Sequence, residues 1–596
     1  MALHAVHFLL SAVATSTSSD AGEAVRLFVD PRVASQQQAH WRPVVGPVTK
    51  SPHNPLLIED RLWDVRWDNT YITARYDHDT DRFRMWYNGF VSCTGYIQSA
   101  DKPSTHNTCA HPTWHQQYGA KGLIPWNSTV GRPWSALMYA ESPGSSGTNF
   151  SKYTGGIPYP WNGTIGCPDR SSRSEGPGSR CDASLSPTNI LLMGEAASGT
   201  GVMYDAHELN ESRRYKAIGS LWNYENCGKR PINPVHGTTW PPCHCLGVNY
   251  SPDGLHFDGL LADESKRSPG DAPGMDIVGQ DDGALDLAIW DDDLNGGEYW
   301  GLVRVDAAGK NHRRTGRWTS KDFRSFTAAQ QVFEGPSDDY EVYTVQPFRL
   351  PQWPKGQYLA TAMFFAQDEP EGWVRCELLQ TLDFGQNWTR IAPDQQFIPL
   401  GAPGQFDSHT LYTAWSGEQL PLLDPTDQRE TMFFYAGGDG PHSGDRDDSI
   451  GLARATTHAY AGLQLDTTAG AASTTKRRLV TQPILNISVC VSVCLHVLVD
   501  GGPVLVGVQT HELDDHVAMF ELGPERGKQR DGTFLLRSTG PRWFAVPEQA
   551  FERLLATIDE RGTQTKSDQD KQTMARLVIE STGPATVYAL RGDVVA

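Results

Sequence analysis

The sequence lacks long apolar runs and blocks of basic residues. No run of about 18 apolar residues occurs, so no membrane-spanning helix is predicted. Lys and Arg number 51 against 70 Asp and Glu, which gives a formal charge of -19 at pH 7. Because no Lys/Arg-rich block interrupts this acidic balance, a surface that binds nucleic acid is not predicted, and neutral partners fit better.

What the chain has in quantity is turn-forming and aromatic residues. It contains 57 Gly, 39 Pro, 18 Trp and 20 Tyr in 596 residues. This composition favours short strands joined by tight turns over a helical architecture. The length allows several domains or one large repeat fold.

Three features indicate export from the cell. Residues 1–22, with an apolar stretch at 3–14, are typical of a secretory signal peptide. Ten cysteines fall partly in close pairs that disulfides could staple in an oxidising compartment, and the spacing around Cys243 does not favour the alternative of a zinc site. Asn-x-Ser/Thr glycosylation sequons occur at Asn127, Asn149, Asn162, Asn210, Asn249, Asn387 and Asn486. We therefore expect a secreted glycoprotein.

A loose internal repeat is the main signal for the fold. Alternating strands and turns recur in five antiparallel units, at 63–90 with 136–142, 189–222 with 246–257, 284–305 with 316–326, 340–365 with 376–388, and 407–417 with 431–439 and 449–455. Radial repetition of such sheets protects strand edges in propellers. The repeat predicts an all-β, five-bladed β-propeller over 23–465, with loop insertions at 99–135 and 142–188.

Three of the units end in similar turns, at 251–257, 319–326 and 381–388. The last matches the pattern S/T-x-D-x-G-x-x-W in full, and the other two match loosely. In such a turn the Asp can accept hydrogen bonds from its own backbone, while Gly adopts a positive φ. We interpret these turns as structural staples.

The pattern changes near residue 466. Close-set strands follow, including the β-branched run at 487–499, and a charged stretch at 559–572 interrupts them. The segment 466–596 is predicted to form a lectin-like β-sandwich.

Propeller sites lie at the axis, where the innermost strands begin, so carboxylates at those strand starts are the candidates. Asp64 and Asp68 open the first unit, Asp282 and Asp286 the third, Glu341 the fourth, and Asp407 with His409 the fifth. Cleavage of a glycosidic bond needs an acid for the leaving oxygen and a second carboxylate as base or nucleophile. The alternative for each candidate is a solvated charge at a strand edge that has no part in catalysis or binding.

We assign predicted roles on this basis. Asp68 is the base or nucleophile. Glu341 lies in an otherwise apolar and aromatic strand, a setting typical of a general acid. Asp286 supports catalysis. The predicted substrate-binding residues are Asp64, Trp67, Asp282, Arg304, Tyr343, Asp407 and His409. No cofactor or metal ion is predicted, because the calcium-like turn at 291–296 has Leu302 in place of the expected bidentate Glu.

The repeat resembles the superfamily of five-bladed propellers that contains glycoside hydrolase families 32, 43, 68 and 117. The resemblance rests on YDHDTDRFRMWYNG, GVMYDAHELNESRRYKAIG, WDDDLNGGEYWGLVR and IGLARATTHAYAGL, and it covers nearly all of 60–590. It implies a propeller with a following β-sandwich and a carbohydrate substrate. Family 32 enzymes resemble one another in the motifs WMNDPNG, RDP and EC; here the first and third places read WDVRWDN and YEVYT, and RDP is absent.

The sequence therefore predicts a secreted glycoside hydrolase acting on a furanoside or polysaccharide. Carboxyls about 5–5.5 Å apart would predict retention of configuration, and carboxyls about 6.5–9.5 Å apart inversion. Two alternatives stay open. One is a non-catalytic carbohydrate-binding propeller. The other is a sialidase, which would need Arg304, Arg314 and Arg375 to converge near Tyr343.

Overall fold

The structure is a computed structural model of the chain. It describes residues 25–34, 40–61, 64, 67, 69–90, 135–155, 188–194, 199–222, 244–257, 287–306, 313–323, 325–337, 339–366, 372–442, 446–465, 477–480, 485–486, 496–501, 504–510, 518–521, 542–545, 574–581 and 585–591. The chain divides into two compact units. Unit 1 comprises Met1–Pro47, Leu350–Pro354 and His458–Ala596, and unit 2 comprises Val48–Arg349 and Lys355–Thr457.

Among the described residues, the strands of unit 2 form four sheets. The 8-stranded sheet comprises two antiparallel meanders joined by a single parallel pair, Val374 with Thr410, so the strands make five meanders. The strand preceding the first meander is β3 (Val48–Lys50). The first meander comprises β4 (Thr73–Asp77), β5 (Arg82–Phe90), β6 (Ser135–Pro143), β7 (Ser151–Lys152) and β8 (Ile190–Gly194), and the second comprises β9 (Gly201–Tyr204), β10 (Tyr215–Trp222) and β11 (His244–Ser251). The third comprises β12 (Leu287–Asp291), β13 (Glu298–Asp306), β14 (Arg313–Ser320) and β15 (Gln330–Glu334), and the fourth comprises β16 (Tyr340–Phe348), β17 (Tyr358–Ala366), β18 (Val374–Thr381) and β19 (Thr389–Arg390). The fifth comprises β20 (Thr410–Thr413), β21 (Glu430–Gly438) and β22 (Asp448–Thr456). A short 3-10 helix, Glu211–Arg213, precedes β10.

Hydrogen bonds connect each meander to the next in a closed ring. Between the first and second meanders, Thr73 Oγ1 accepts from Val202 N (3.1 Å), and between the second and third, Tyr299 OH donates to Asp205 (2.7 Å). Between the third and fourth, Tyr358 OH donates to Asp291, and between the fourth and fifth, the hydroxyls of Thr361 and Thr413 form a hydrogen bond (2.7 Å). Between the fifth and first, Ala74 N donates to Trp415 O (2.9 Å). Since the last contact returns to the first meander, unit 2 is a β-propeller. Indole rings fill the core, and Trp86, Trp300, Trp318 and Trp415 are fully buried.

Two strand pairings differ from the sequence interpretation. The outer strand of the fifth meander is β3, which pairs with β22 and so closes the ring with a segment that precedes the first meander. The strand β8, predicted to open the second unit, pairs with β6 of the first. Strand periodicity identifies a strand but not its neighbour, because every strand exposes the same backbone groups for pairing.

The three predicted turns form the expected staples. In the third, Asp383 Oδ1 accepts hydrogen bonds from Gln386 N (3.1 Å) and Asn387 N (2.9 Å), and Trp388 is buried. Gly385 has φ 79°, and a Cβ at this position would lie 2.8 Å from the ring of Trp300. Only glycine fits that turn without strain. The turn at 291–297 likewise joins β12 to β13 as a hairpin, as predicted.

The Asp383 staple predicts a pH dependence of stability. Partial burial raises the pKa of Asp383, but hydrogen bonds from Asn387, Thr381 and Gln386 outweigh it and hold the pKa below the ordinary value of 3.8. A lowered folded-state pKa gives stability that is present above pH 3.8 and is lost as the pH falls below it. In urea titrations, Asp383→Asn should therefore lose less stability than the wild type on acidification. The matched control Asp79→Asn, in an exposed turn, should keep the wild-type slope, and an unchanged slope in Asp383→Asn would contradict the assignment.

The described residues of unit 1 form two antiparallel sheets. One has the order β2-β23-β31-β26-β29 with β1 on β31, and the other β24-β30-β27-β28 with β25 on β30. The strands are β1 (Val25–Leu27), β2 (Trp41–Val45), β23 (Ala461–Leu465), β24 (Arg477–Val480), β25 (Leu485–Asn486), β26 (His496–Gly501), β27 (Val504–Thr510), β28 (Ala518–Glu521), β29 (Arg542–Ala545), β30 (Met574–Ser581) and β31 (Ala585–Arg591).

The boundary between the units differs from the predicted one at residue 465. The chain leaves unit 2 after Thr457, and β23 pairs with β2 and β31 of unit 1. The N-terminal strands β1 and β2 also belong to unit 1. The sequence of an apolar strand does not specify which sheet the strand joins, so the predicted propeller included one strand, β23, that belongs to unit 1.

The structure describes few of the residues on which the prediction of export rests. Cys376 is a buried free thiol, and burial raises its pKa to about 12. The predicted disulfide partners lie outside the residues whose side chains the structure describes. The sequon side chain of Asn249 is buried in β11, where a glycan has no room. Within the described ranges, no helix is long and apolar enough to cross a bilayer.

Candidate active site

A strained segment precedes the first strand of the first meander. Asn69, Thr70 and Tyr71 have φ values of 63°, 61° and 40°. Non-glycine residues rarely adopt this left-handed region, and such strain persists only where surrounding contacts impose it. Tyr71 N donates to Asn69 O (2.7 Å) and Asn88 N donates to Thr70 O (2.6 Å). The segment lies outside the regular strands of the first meander, because β4 begins only at Thr73.

The side chain of Asn69 is the centre of a buried hydrogen-bond network. Its Nδ2 donates to Tyr71 OH (2.9 Å) and to Tyr343 OH (2.8 Å), and the two hydroxyls lie 2.8 Å apart. Its Oδ1 accepts from Arg446 Nη2 at 2.8 Å. The first and fourth meanders therefore meet at this amide.

Arg446 and Asp448 form a fully buried ion pair that holds the strained segment. Arg446 Nε donates to Asp448 Oδ1 at 2.9 Å, and both side chains have 0% exposure. Asp448 Oδ2 accepts from Asn69 N at 2.8 Å. Arg446 Nη1 donates to the carbonyls of Pro441 (3.2 Å) and His442. Through these bonds Arg446 links the loop before β22 to the segment before β4.

Glu341 and Tyr343 lie at the start of β16, the first strand of the fourth meander. The ladder between β16 and β17 shifts register between Val342 and Thr344, so Tyr343 sits in a β-bulge. Bulges re-aim side chains and occur often beside active sites. Arg313 Nη1 donates to Glu341 Oε2 at 2.8 Å, and its guanidinium carbon lies 5.1 Å from the centre of the Tyr343 ring. Glu341 is 1% exposed.

A tyrosine–histidine pair borders the same network. Tyr412 OH and His442 Nδ1 are 2.6 Å apart, and the tautomer of the imidazole decides which one donates. The His442 ring centre lies 4.9 Å from that of Tyr343 and 4.6 Å from that of Phe365. His442 is half-buried, so this aromatic wall is partly accessible.

Glu59 is a further carboxyl near the strained segment. It accepts a hydrogen bond from the backbone nitrogen of Trp67, next to Asp68 in the sequence. Desolvation raises the pKa of Glu59 well above its ordinary value, and the nearby carboxylates Asp447, Asp64 and Asp448 raise it further, whereas the bond from Trp67 lowers it only in part. The shift favours the protonated form of Glu59, the form that a general acid needs.

Of the predicted site residues, Tyr343 bonds to Asn69 in this network, and Glu341 lies two residues before it in β16. Asp68, Asp282 and Asp286 lie outside the described residues. Asp64 is fully buried and accepts from Lys152 Nζ and Arg61 N (3.0 Å). Desolvation raises the pKa of Asp64, despite its pairing with Lys152. Trp67 is also fully buried, with its ring edge-on to Tyr87 at 5.1 Å, so neither of its faces is open to a sugar here.

The remaining predicted residues lie elsewhere in unit 2. Asp407 Oδ2 accepts from Lys50 Nζ (2.5 Å) and Tyr435 OH (2.8 Å), which ties it to the outer strand of the fifth meander. His409 is half-buried, and its Nδ1 contacts Ser408 Oγ at 2.9 Å. Arg304 is buried in β13 opposite Thr315.

The arginines required for a sialidase are not gathered at Tyr343. Arg314 pairs with Glu334 at 3.1 Å, and the guanidinium of Arg375 lies 3.5 Å from the centre of the Trp373 ring. The neighbouring Arg313 reaches Tyr343 instead, because successive residues of a strand point to opposite faces.

Sequence reasoning missed most of the network, namely Glu59, Asn69, Tyr71, Arg313, Tyr412, His442, Arg446 and Asp448. One signal was present: the charged run at 445–448 stands directly before an apolar strand, the same pattern used to select Glu341. Glu59 lies between β3 and β4, where no strand period indicates its direction. In the described part of the chain, no group of three or more His, Cys, Asp or Glu side chains could hold a metal ion.

Comparisons with known proteins give only distant likenesses. No protein-family model and no curated protein sequence matches the chain. Among solved structures, the chain is similar to an exo-inulinase from Aspergillus awamori (10% identity, 92% of this chain and 99% of that one, TM-score 0.36). It is also similar to a fructofuranosidase from Schwanniomyces occidentalis (9%, 93% and 100%, 0.33) and to a protein of the GH130 family, described as containing glycoside hydrolases that target β-1,2-mannosidic linkages in Candida mannan (13%, 70% and 95%, 0.35). At these TM-scores none of the likenesses carries an argument about function.

Proposed function

We propose that the chain is a glycoside hydrolase whose active site is the network around Asn69 and Glu341. The observation that carries the proposal is the hydrogen bond from Asn69, in the strained segment 69–71 that directly follows Asp68, to Tyr343, two residues after Glu341 in β16. Strain retained against a buried network is typical of sites that need fixed geometry. The network is formed by the ends of several meanders, as in ligand sites at a propeller axis.

The chemistry requires a proton donor and a second carboxylate. Asp68 remains our choice for base or nucleophile, because it immediately precedes the segment that Asp448 and Arg446 hold. Glu341 is the proposed acid, with Asp286 in a supporting role. Glu59 is a second candidate for the acid, since its raised pKa keeps a proton available.

The neighbouring side chains suit a neutral, hydroxyl-rich substrate. Tyr343, Tyr412 and His442 offer both hydrogen-bonding atoms and ring faces, and His442 is partly accessible. Aromatic rings with polar tips can contact the apolar face of a sugar and its hydroxyls together.

A panel of glycans tests the proposal. Purified protein incubated with fructans, mannans, arabinans and algal polysaccharides should release reducing sugar from at least one of them. Asp68→Asn should reduce that release by at least about 10²–10⁴-fold, which is the usual contribution of a general base. Release of sugar is followed by chromatography, and binding by the gel method described below.

One outcome would reject the hydrolase, and a second would reject the role of Asp68. Binding at the site without release from any glycan would favour the non-catalytic carbohydrate-binding propeller. Release that Asp68→Asn leaves unchanged would remove Asp68 from the mechanism.

A further inference from the structure

An open cleft lies at the seam between the fifth and first meanders, apart from the active-site network. Its volume is about 490 Å³, within the range of small-molecule sites. One wall is the end of β3 with the turn that follows it, including Ser51 and His53. A second wall is the loop between β6 and β7, including Ser145 and Thr148. Thr426 belongs to a third wall, in the loop before β21.

The lysine and the arginine that line the cleft are both paired with carboxylates. Arg454 Nη1 donates to Asp424 and to Glu430 (3.2 Å), and its Nη2 donates to Ser146 O (3.3 Å). Lys50 Nζ pairs with Asp407 at 2.5 Å. Because both cations are paired with carboxylates, the cleft offers no free positive charge to a phosphate or sulfate.

The walls are lined by hydroxyl groups held in fixed positions. Thr426 Oγ1 donates to Asp424 (2.7 Å), and Thr148 Oγ1 donates to Ser146 Oγ (3.2 Å). Gly147, in the second wall, has φ 62°, and a Cβ at this position would lie 2.8 Å from the Met432 side chain, so the loop packs closely against Met432. Arg454 links the second wall to the third. The cleft is therefore preorganised, which lowers the entropic cost of binding.

We propose that this cleft is a second binding site, for a neutral saccharide chain. Ser51 and Ser145 present hydroxyls that can donate and accept. Thr148 and Thr426 donate to Ser146 and Asp424, so their hydroxyl oxygens can accept from sugar hydroxyls. The exposed rings of Pro52 and His53 add flat surfaces for a sugar face. The cleft would hold a polysaccharide against the propeller surface without taking part in bond cleavage, so the proposal does not rest on the hydrolase assignment.

Native electrophoresis in gels containing a soluble polysaccharide tests this site. Wild-type protein should be retarded by at least one neutral polysaccharide among a mannan, a xylan, an inulin and a β-glucan, and not selectively by anionic alginate. Thr426→Trp fills the cleft from an exposed position and should weaken the association by about tenfold or more, corresponding to about 1.4 kcal/mol. The matched control Leu209→Trp, at a side chain 97% exposed and outside the cleft, should migrate as the wild type does.

The same gels separate this site from the active site. Glu341→Gln should leave the retardation unchanged, and Thr426→Trp should leave the release of reducing sugar from short oligosaccharides unchanged. Retardation that Glu341→Gln removes and Thr426→Trp does not would overturn the proposal. So would retardation by alginate alone, or by none of the gels.

Discussion

Arg446→Met is expected to lower the free energy of unfolding by about 3–5 kcal/mol, because it removes one member of a buried ion pair, the arginine that donates to the Asp448 carboxylate. Arg446 and Asp448 both have 0% side-chain exposure, so water cannot replace the lost bond. The substitution also removes the donor to Asn69 Oδ1 and the donors to the carbonyls of Pro441 and His442. The strained segment 69–71 would lose one of the contacts that hold it.

Urea denaturation followed by tryptophan fluorescence measures this loss. The matched control is Arg429→Met, which breaks an ion pair between Arg429 and Asp427 on the exposed surface. Solvent already screens that pair, so no measurable change is expected. Equal effects in the two variants would show that burial of the Arg446 pair does not contribute to stability.

A double variant separates the ion pair from the side-chain packing. Replacing a buried pair by apolar residues of similar volume is often neutral or stabilising, because no charge is left unpaired. Arg446→Met combined with Asp448→Leu should therefore recover part of the stability that Arg446→Met loses. Sugar release should stay low in the double variant, since Asn69 would still lack its bonds to Asp448 and Arg446.

Glu341→Gln is expected to reduce turnover of the glycan identified in the panel by about 10²–10⁴-fold, while the fold is kept. The amide has nearly the volume of the carboxyl and can still accept from Arg313, but it cannot release a proton at the leaving oxygen. Steady-state kinetics should show the loss in kcat, with KM little changed. The midpoint of thermal unfolding reports whether the variant is folded.

Glu377→Gln is the matched control for Glu341→Gln. Glu377 lies in the same meander, is 1% exposed and is also paired with an arginine, Arg390, at 2.8 Å. It is not part of the network around Asn69, so turnover by the folded variant should be unchanged. A similar loss of turnover in both variants would point to a general effect of disturbing this meander.

An aryl glycoside distinguishes Glu341 from Glu59 as the acid. A dinitrophenolate leaves without a proton, so a variant that lacks the acid should cleave the dinitrophenyl glycoside of the same sugar nearly as fast as the wild type. We expect this rescue for Glu341→Gln and not for Glu59→Gln. Rescue of Glu59→Gln alone would assign the acid to Glu59, and loss on both substrates in Glu341→Gln would make Glu341 a base, a nucleophile or a positioning residue.

The candidate site was predictable only in part. The rule that carboxylates at the start of first strands face the axis selected Glu341, and the same strand supplied Tyr343. It also selected Asp407, whose carboxylate instead pairs with Lys50 and Tyr435. A strand start limits where a residue lies, but the partners of its side chain depend on neighbouring strands that the local pattern does not specify.

The sequence by itself determined the local features of this protein. Alternating apolar residues specified the strands, and the Asp and Gly of the turn at 381–388 specified its hydrogen bonds, because these interactions join residues close together in the chain. Only the tertiary structure decided that β3 closes the propeller, that β23 belongs to unit 1, and that Asn69 meets Arg446. Asn69 and Arg446 are 377 positions apart, so their contact follows from closing the whole ring, which no local periodicity records.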